Sequence, residues 1–210
     1  LTKEQSAELS EKLLGGLTGI ASMDRMQYRF THLERMGDLE KTALLERRAI
    51  NRSVMKKKDP TGMILSEDES TAILLNGDDH VRIQTLQTGL TLEQLYERAD
   101  KIDDYISERF DYAFDEKYGY LTSFPTNVGT GLRAAVVLHL PMLSKNKNFN
   151  SLVADMGRFG TQVRGVYGEG AENFGSLYQI SNQKTLGQTE REIIDIVRKA
   201  AQELDAQERR

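Results

Sequence analysis

Three arginines begin or interrupt apolar runs in this 210-residue sequence: Arg82 in "HVRIQ", Arg133 in "GLRAA" and Arg164 in "VRGVYGEG". Each guanidinium is a planar fork of donors suited to bidentate contact with phosphate oxygens. A surface ion pair explains any one of them equally well, but three in strand-like settings point to an anion site. Two acidic elements sit at turns, Asp78-Asp79 before His80 and Glu169 within "YGEGAE". Gly77, Gly168 and Gly170 flank them and let the backbone turn sharply enough to present a carboxylate. Together these are cations for a polyphosphate and carboxylates for a cationic acceptor.

Arg133 closes the loop of "SFPTNVGTGLRAAVVLHLP", residues 123–141, behind Gly129 and Gly131. The glycines are expected to let a phosphate approach the backbone. "GTGLRA" fits the G-x-G-x-x-[GA] dinucleotide pattern, but that pattern needs a following helix and an acidic residue about 20 positions on. Here a valine-rich run follows, and the residues beyond read as a helix start, so the dinucleotide reading fails on context. The sequence contains no G-x-x-x-x-G-K-[ST], H-R-D or D-F-G, which excludes P-loop and eukaryotic-type protein kinases.

The elements that must position these residues follow from periodicity and capping. Thr2 with Gln5 predicts a capping box for a helix on Leu9, Leu13 and Leu17. Residues 26–33 read as a strand and 38–50 as a helix. "RRAINRSVMKKKDPTG" reads as a polar basic loop ending in a turn, with Lys56, Lys57 and Lys58 solvated rather than bound to an acidic partner. "GMILSEDESTAILLN" reads as a hairpin, and "VRIQTL" as a strand with Arg82 and Gln84 on one face. Thr91 with Gln94 predicts a second capping box, opening a helix on Leu92, Leu95, Ala99, Ile102 and Ile106. "GYLTSF", "RAAVVLHLP", "TQVRGVY" and "GSLYQISN" read as strands, residues 150–159 as a helix. A last helix runs from Thr189, capped by Glu192, on Ile193, Val197, Ala200 and Leu204. Strands meet as hairpin neighbours rather than alternating with helices, so the class is α+β with a largely antiparallel sheet flanked by helices.

Composition narrows the function classes. At 39% hydrophobic the chain can build a sizeable core, expected here as a single domain over 1–210. A net charge of −4 leaves no chain-wide basic footprint for nucleic acid. The absence of cysteine excludes disulfides, thiolate metal sites and a cysteine nucleophile. The longest apolar run, residues 134–143, is broken by His139 and Pro141 and is too short to span a bilayer. No cationic leader with an apolar core opens the chain, so the cytoplasm is the expected compartment. Glu93, Gln94 and Glu97 and the last helix present polar faces that a second copy, as in a homodimer, or bulk water would satisfy equally.

Three stretches together resemble the phosphagen, or guanidino, kinases from about Met26 onward. "PTNVGTGLRA" is similar to the family's C-P-[ST]-N-x-G-T-G-x-R signature, "NGDDHVR" to its N-E-E-D-H-x-R, and "VRGVYGEG" to its second carboxylate loop. "GYLTS", "YGEG" and "YQISNQKTLG" resemble most the bacterial protein arginine kinase branch. The resemblance implies a glutamine-synthetase-like catalytic domain that uses ATP and Mg²⁺ to phosphorylate a guanidinium nitrogen, in that branch on arginine-containing protein substrates. It implies that Arg82, Arg133 and Arg164 hold the ATP phosphates. Arg133, Ala134, Ala135, Val136 and Val137, with Arg164, Gly165, Val166, Tyr167, Gly168 and Glu169, would line the nucleotide. Asp78 takes the place of the catalytic glutamate, and Glu169 that of the guanidinium-binding carboxylate. The branch further implies a regulatory activator protein and a stress-response repressor or protease system as partners.

The residues depart from the pattern in three ways. Gly77 and Asp78 stand where the family usually has two glutamates, and Phe124 where it has a reactive cysteine before Pro125. The family's S-S-R-x-R segment would lie upstream of Leu1, and the bacterial branch's regulatory portion downstream of Arg210. Two alternatives therefore stand beside a protein arginine kinase: a kinase of a free guanidino compound, and a nucleotide- or phosphoarginine-binding relative without turnover.

Overall fold

The computed structural model describes residues 1–24, 26–166 and 173–210, with the side chains of 24 and 174 left out. The chain divides into two compact units, Leu1–Tyr112 and Ala113–Arg210. The pairings of all three sheets are antiparallel, in the α+β arrangement that the strand spacing predicts.

In the first unit a four-stranded sheet has the order β1 (Tyr28–His32), β2 (Gly62–Ser66), β3 (Thr71–Leu75), β4 (Val81–Thr85). Helix α1 (Lys3–Gly16) starts on the expected capping box of Thr2 and Gln5. Its Leu13 and Leu14, with Leu17 and Ile20, pack on Ile64, Ile73 and Leu75 of one sheet face, together with Ile102 and Ile106 of α5 (Leu92–Ser107). A short helix α2 (Ala21–Asp24) follows α1. On the opposite face Met63, Leu65, Ala72 and Leu74 meet Leu44 of α3 (Asp38–Glu46) and Val54 of α4 (Arg52–Lys56). Strands β2 and β3 are thus buried on both faces, which is why they read as unbroken apolar runs rather than alternating ones.

Two sequence expectations differ here. The basic stretch read as a loop contains α4, capped by the Asn51 side chain on Val54 N–H at 2.8 Å. One buried valine in five residues is too weak a periodic signal to register as a helix. Thr91 does precede α5, but at φ −119° and ψ 39°, outside the extended region that Thr2 and Thr189 adopt, its side chain makes no capping hydrogen bond and no capping box forms.

The second unit holds a small ribbon of β5 (Phe114–Asp115) and β6 (Gly119–Tyr120) and a three-stranded sheet. That sheet has the order β7 (Ala135–His139), β9 (Leu177–Asn182), β8 (Thr161–Gly165). "GYLTSF" is therefore a strand only at its first two residues. Helices α6 (Phe149–Arg158) and α7 (Glu190–Glu208) cover one face through Met156, Ala200 and Leu204 on Leu140 and Ile180. Thr189 and Glu192 form the expected capping box of α7.

Between β3 and β4 the loop 76–80 opens on Asn76, 2% exposed and left-handed at φ 57°. Its amide nitrogen donates to Ser6 Oγ at 2.6 Å and to the Pro60 carbonyl at 2.8 Å, and its backbone N–H closes the loop on the His80 carbonyl at 2.8 Å. Asn76→Gly keeps the backbone freedom and removes the amide; it is expected to cost roughly 1–3 kcal/mol in urea unfolding. Asn76→Ala adds the left-handed strain, about 1 kcal/mol more. Equal stability of Asn76→Gly and the unaltered protein would show that the amide contributes nothing.

Candidate functional site

The site candidates fall in two clusters, one on each unit. In the first, Asp78 sits part-buried at the middle of the 76–80 loop. Ser53 Oγ donates to its Oδ1 at 2.6 Å, and Asn51 Nδ2 to its Oδ2 at 3.0 Å. Burial pushes the carboxyl up, but these two bonds and the charges of Arg82 and Lys57 outweigh it and hold it below the ordinary aspartate value. Lys57 Nζ donates to the carbonyls of Asn76 and Gly77 at 2.6 and 2.8 Å. It is a tether of the acidic loop rather than part of a solvated run, because α4 brings it back over β3. Gly77 is close to Val54 of α4, and a Cβ there would lie 3.3 Å from Val54 Cγ2. His80 is exposed and contributes its carbonyl to the loop. Arg82 on β4 donates to Gln84 Oε1 at 3.4 Å, as their shared face predicts. Gln84 Nε2 in turn donates to the Arg48 carbonyl.

In the second cluster Arg133 donates to the Asn182 carbonyl at 3.1 Å and to Asn127 Oδ1 at 3.2 Å. Strand pairing matches Ala135 with Ser181 and Val137 with Gln179, and Gln162 with Ser181 and Arg164 with Gln179. Opposed residues share a face, so Ala135, Val137 and Arg164 stand on the side turned away from α6 and α7, with Arg133 two residues before Ala135. Ala135, Val137 and Arg164 are exposed there. Val136 and Gly165 oppose Ile180 and Tyr178 and so belong to the helix-covered face. Ala134 is buried. Val166 continues β8, its N–H donating to the Leu177 carbonyl at 2.9 Å. Tyr167, Gly168 and Glu169 lie outside the described residues. Through Gln179, Arg164 stands level with Val137 two strand spacings away, roughly 10 Å, while Arg133 lies four residues before Val137, ahead of β7.

Sequence reasoning missed the residues that build the Arg133 loop. Asn182, 1% exposed, accepts from Ala134 N–H on Oδ1 at 2.9 Å and donates from Nδ2 to the carbonyls of Leu132 and Lys184 at 3.0 and 2.9 Å. Thr185 Oγ1 lies 2.7 Å from the Val128 carbonyl and 3.0 Å from that of Thr126. The two loop glycines have different reasons. Gly129, at φ 115°, packs so tightly that a Cβ would lie 2.5 Å from the Thr185 carbonyl, so its requirement is set by the protein's own backbone. Gly131, at φ 66°, has among the described residues only Tyr120 Cβ near it, at 4.0 Å from where a Cβ would stand. Phe124, half-exposed, opens the loop. Asn182→Ala strands the buried Ala134 N–H and two part-buried carbonyls and is expected to destabilise by roughly 1–3 kcal/mol. Amide exchange at Ala134 should speed up in parallel, and unchanged protection there would refute the clamp.

The sequence profile of the ATP:guanido phosphotransferase C-terminal catalytic domain matches residues 12–210. The "Protein-arginine kinase" of Caldanaerobacter subterraneus subsp. tengcongensis is 39% identical over 210 residues, covering 100% of this chain and 62% of that protein. The "Protein-arginine kinase" of Bacillus velezensis is 41% identical over 208 residues, covering 99% and 57%. The chain thus spans about three fifths of the length of these relatives. In fold it is similar to the duplicated taurocyamine kinase from Schistosoma mansoni with bound transition state analog components, at a TM-score of 0.84 and 27% identity over 99% of this chain and 30% of that one. Sequence profile, relatives and fold agree with the arginine and carboxylate motifs, and the chain belongs to the ATP:guanido phosphotransferases, within their C-terminal catalytic domain.

Proposed function

We propose that this chain phosphorylates arginine side chains of proteins with ATP, in the cytoplasm. The supporting observation is the 39% identity to a protein named protein-arginine kinase along the full 210 residues. A free guanidino compound as acceptor and binding without turnover are the competing readings. No helix of the described residues is long and apolar enough to cross a membrane, and a chain without cysteine needs no oxidising compartment.

In the reaction an acceptor guanidinium nitrogen forms a bond to the γ-phosphorus while the bond to the bridging oxygen breaks and ADP leaves. The transferred group carries charge on three oxygens through a loose transition state, so alignment and neutralisation are what a protein supplies. Arg82, Arg133 and Arg164 supply donors of fixed shape for the phosphates. Val137 and Ala135 offer an apolar floor on the exposed sheet face. Asp78, held ionised, orients the acceptor and draws its positive charge, and Glu169 is the second carboxylate; one of them takes the proton that the nitrogen loses. Mg²⁺ prefers oxygen ligands and keeps several waters, so it would be held largely by the nucleotide's own phosphates and water and would neutralise phosphate charge there.

The test is ³¹P NMR at alkaline pH after incubation with Mg-ATP and an arginine-rich protein, with free arginine in a parallel tube. An acid-labile P–N signal on the protein alone is expected. Signal on free arginine would instead make this a small-molecule kinase, and ATP binding with no product in either tube a binding-only relative. Arg164→Ala should weaken ATP binding about 10-fold or more, the loss of a charged hydrogen bond. Asp78→Asn should lower kcat on the order of 100-fold while leaving ATP affinity intact.

A further inference from the structure

Asp78 is one methylene shorter than the glutamate usual at its position, and α4 compensates for that shortness. From Asn51 to Lys56 the chain carries two donors that reach one carboxylate, Asn51 Nδ2 on Oδ2 and Ser53 Oγ on Oδ1, at 3.0 and 2.6 Å. We infer that Asn51 and Ser53 are positioning residues for the Asp78 carboxylate, fixing its plane and its ionised form for a guanidinium acceptor. This rests on the reading of Asp78 as a group at the reacting centre.

An ionised carboxylate can accept several hydrogen bonds at once. Two of those on Asp78 come from Asn51 and Ser53, and a carboxylate is the group whose paired oxygens match the parallel N–H pair of a guanidinium. With both oxygens tied, the side chain's two torsions are fixed without help from the substrate. Three features hold α4 at that distance. Asn51 uses its other amide atom, Oδ1, to cap the helix on Val54 N–H at 2.8 Å, so one side chain locks both α4 and Asp78. Val54 is 2% exposed in the core. Gly77, where the family usually has a glutamate, lets Val54 come to within 3.3 Å of where a Cβ would stand. Glycine at 77 and aspartate at 78 then form one change: the missing side chain admits the helix that supports the shorter acid. Lys57 and Arg82 are the cations whose charges act on the same carboxylate, and burial acts against them.

The test uses Ser53→Ala, at an exposed position, and Asn51→Ser, which keeps a capping oxygen and lacks the amide donor. Ser53→Thr, which keeps the hydroxyl, is the control. The first readout is the ¹³C titration of the Asp78 carboxyl, which needs no turnover. Its midpoint should move up in Ser53→Ala and in Asn51→Ser, because burial is then less opposed, and stay put in Ser53→Thr. In the kinetic assay kcat should fall on the order of 10-fold in the two variants, with KM for ATP unchanged, and recover in Ser53→Thr. An unmoved midpoint in both variants overturns the inference, as does a kcat in both equal to that of the unaltered protein. Full turnover in Asp78→Asn would instead overturn the reading of Asp78 itself, a separate failure that leaves the midpoints to decide the contacts with α4.

Discussion

A loop that offers its backbone or a carboxylate to a ligand gives up the ladder partners that a strand would provide, and buried polar groups left without partners cost free energy. Both clusters of functional residues meet this constraint with one buried asparagine at a strand end. Asn76 follows β3 and ties the acidic loop to Ser6 and Pro60. Asn182 ends β9 and holds Leu132, Ala134 and Lys184 around Arg133. A carboxamide suits the task because it donates and accepts at once, so a single side chain satisfies groups of both kinds. Neither asparagine carries chemistry, yet the placement of Asp78 and Arg133 depends on them.

The charged groups of the two clusters are held by side chains and backbone distant in sequence. Asp78 is surrounded by donors and cations that keep it ionised against its own burial. Arg133 donates to the Asn182 carbonyl and the Asn127 amide oxygen, and these two acceptors help fix the direction of its guanidinium. The exposed sheet face beside it is apolar at Ala135 and Val137 and cationic at Arg164, an arrangement fit for a molecule with a flat apolar end and a charged one.

Much of the fold was legible because its signals are local or periodic. The capping boxes at Thr2 and Thr189, the Ile193–Val197–Ala200–Leu204 stripe and the paired apolar runs of β2 and β3 each follow from residues near in sequence. Thr91 shows the limit of that logic. The residue pattern of a capping box is present, but the entry angle of the chain decides whether the hydroxyl can use it. Helix α4 was missed because its stability comes from one buried valine and a cap whose side chain also serves residue 78, 27 positions away.

The same division explains the site. Arginines and carboxylates declare themselves by type, and register alone puts Ala135, Val137 and Arg164 on one face. Their supports do not: Asn182 lies 48 positions from Ala134, and nothing in the intervening sequence marks it. The glycines carry the lesson furthest. Read alone, Gly129 and Gly131 are two openings for a phosphate. In three dimensions Gly131 has room beside it among the described residues, whereas Gly129 exists so that Thr185 can close on the loop. Gly77 belongs with Gly129, since its lost side chain is filled by Val54 of the protein itself. A glycine in such a loop therefore reports a close approach, and only the structure tells whether ligand or chain makes it.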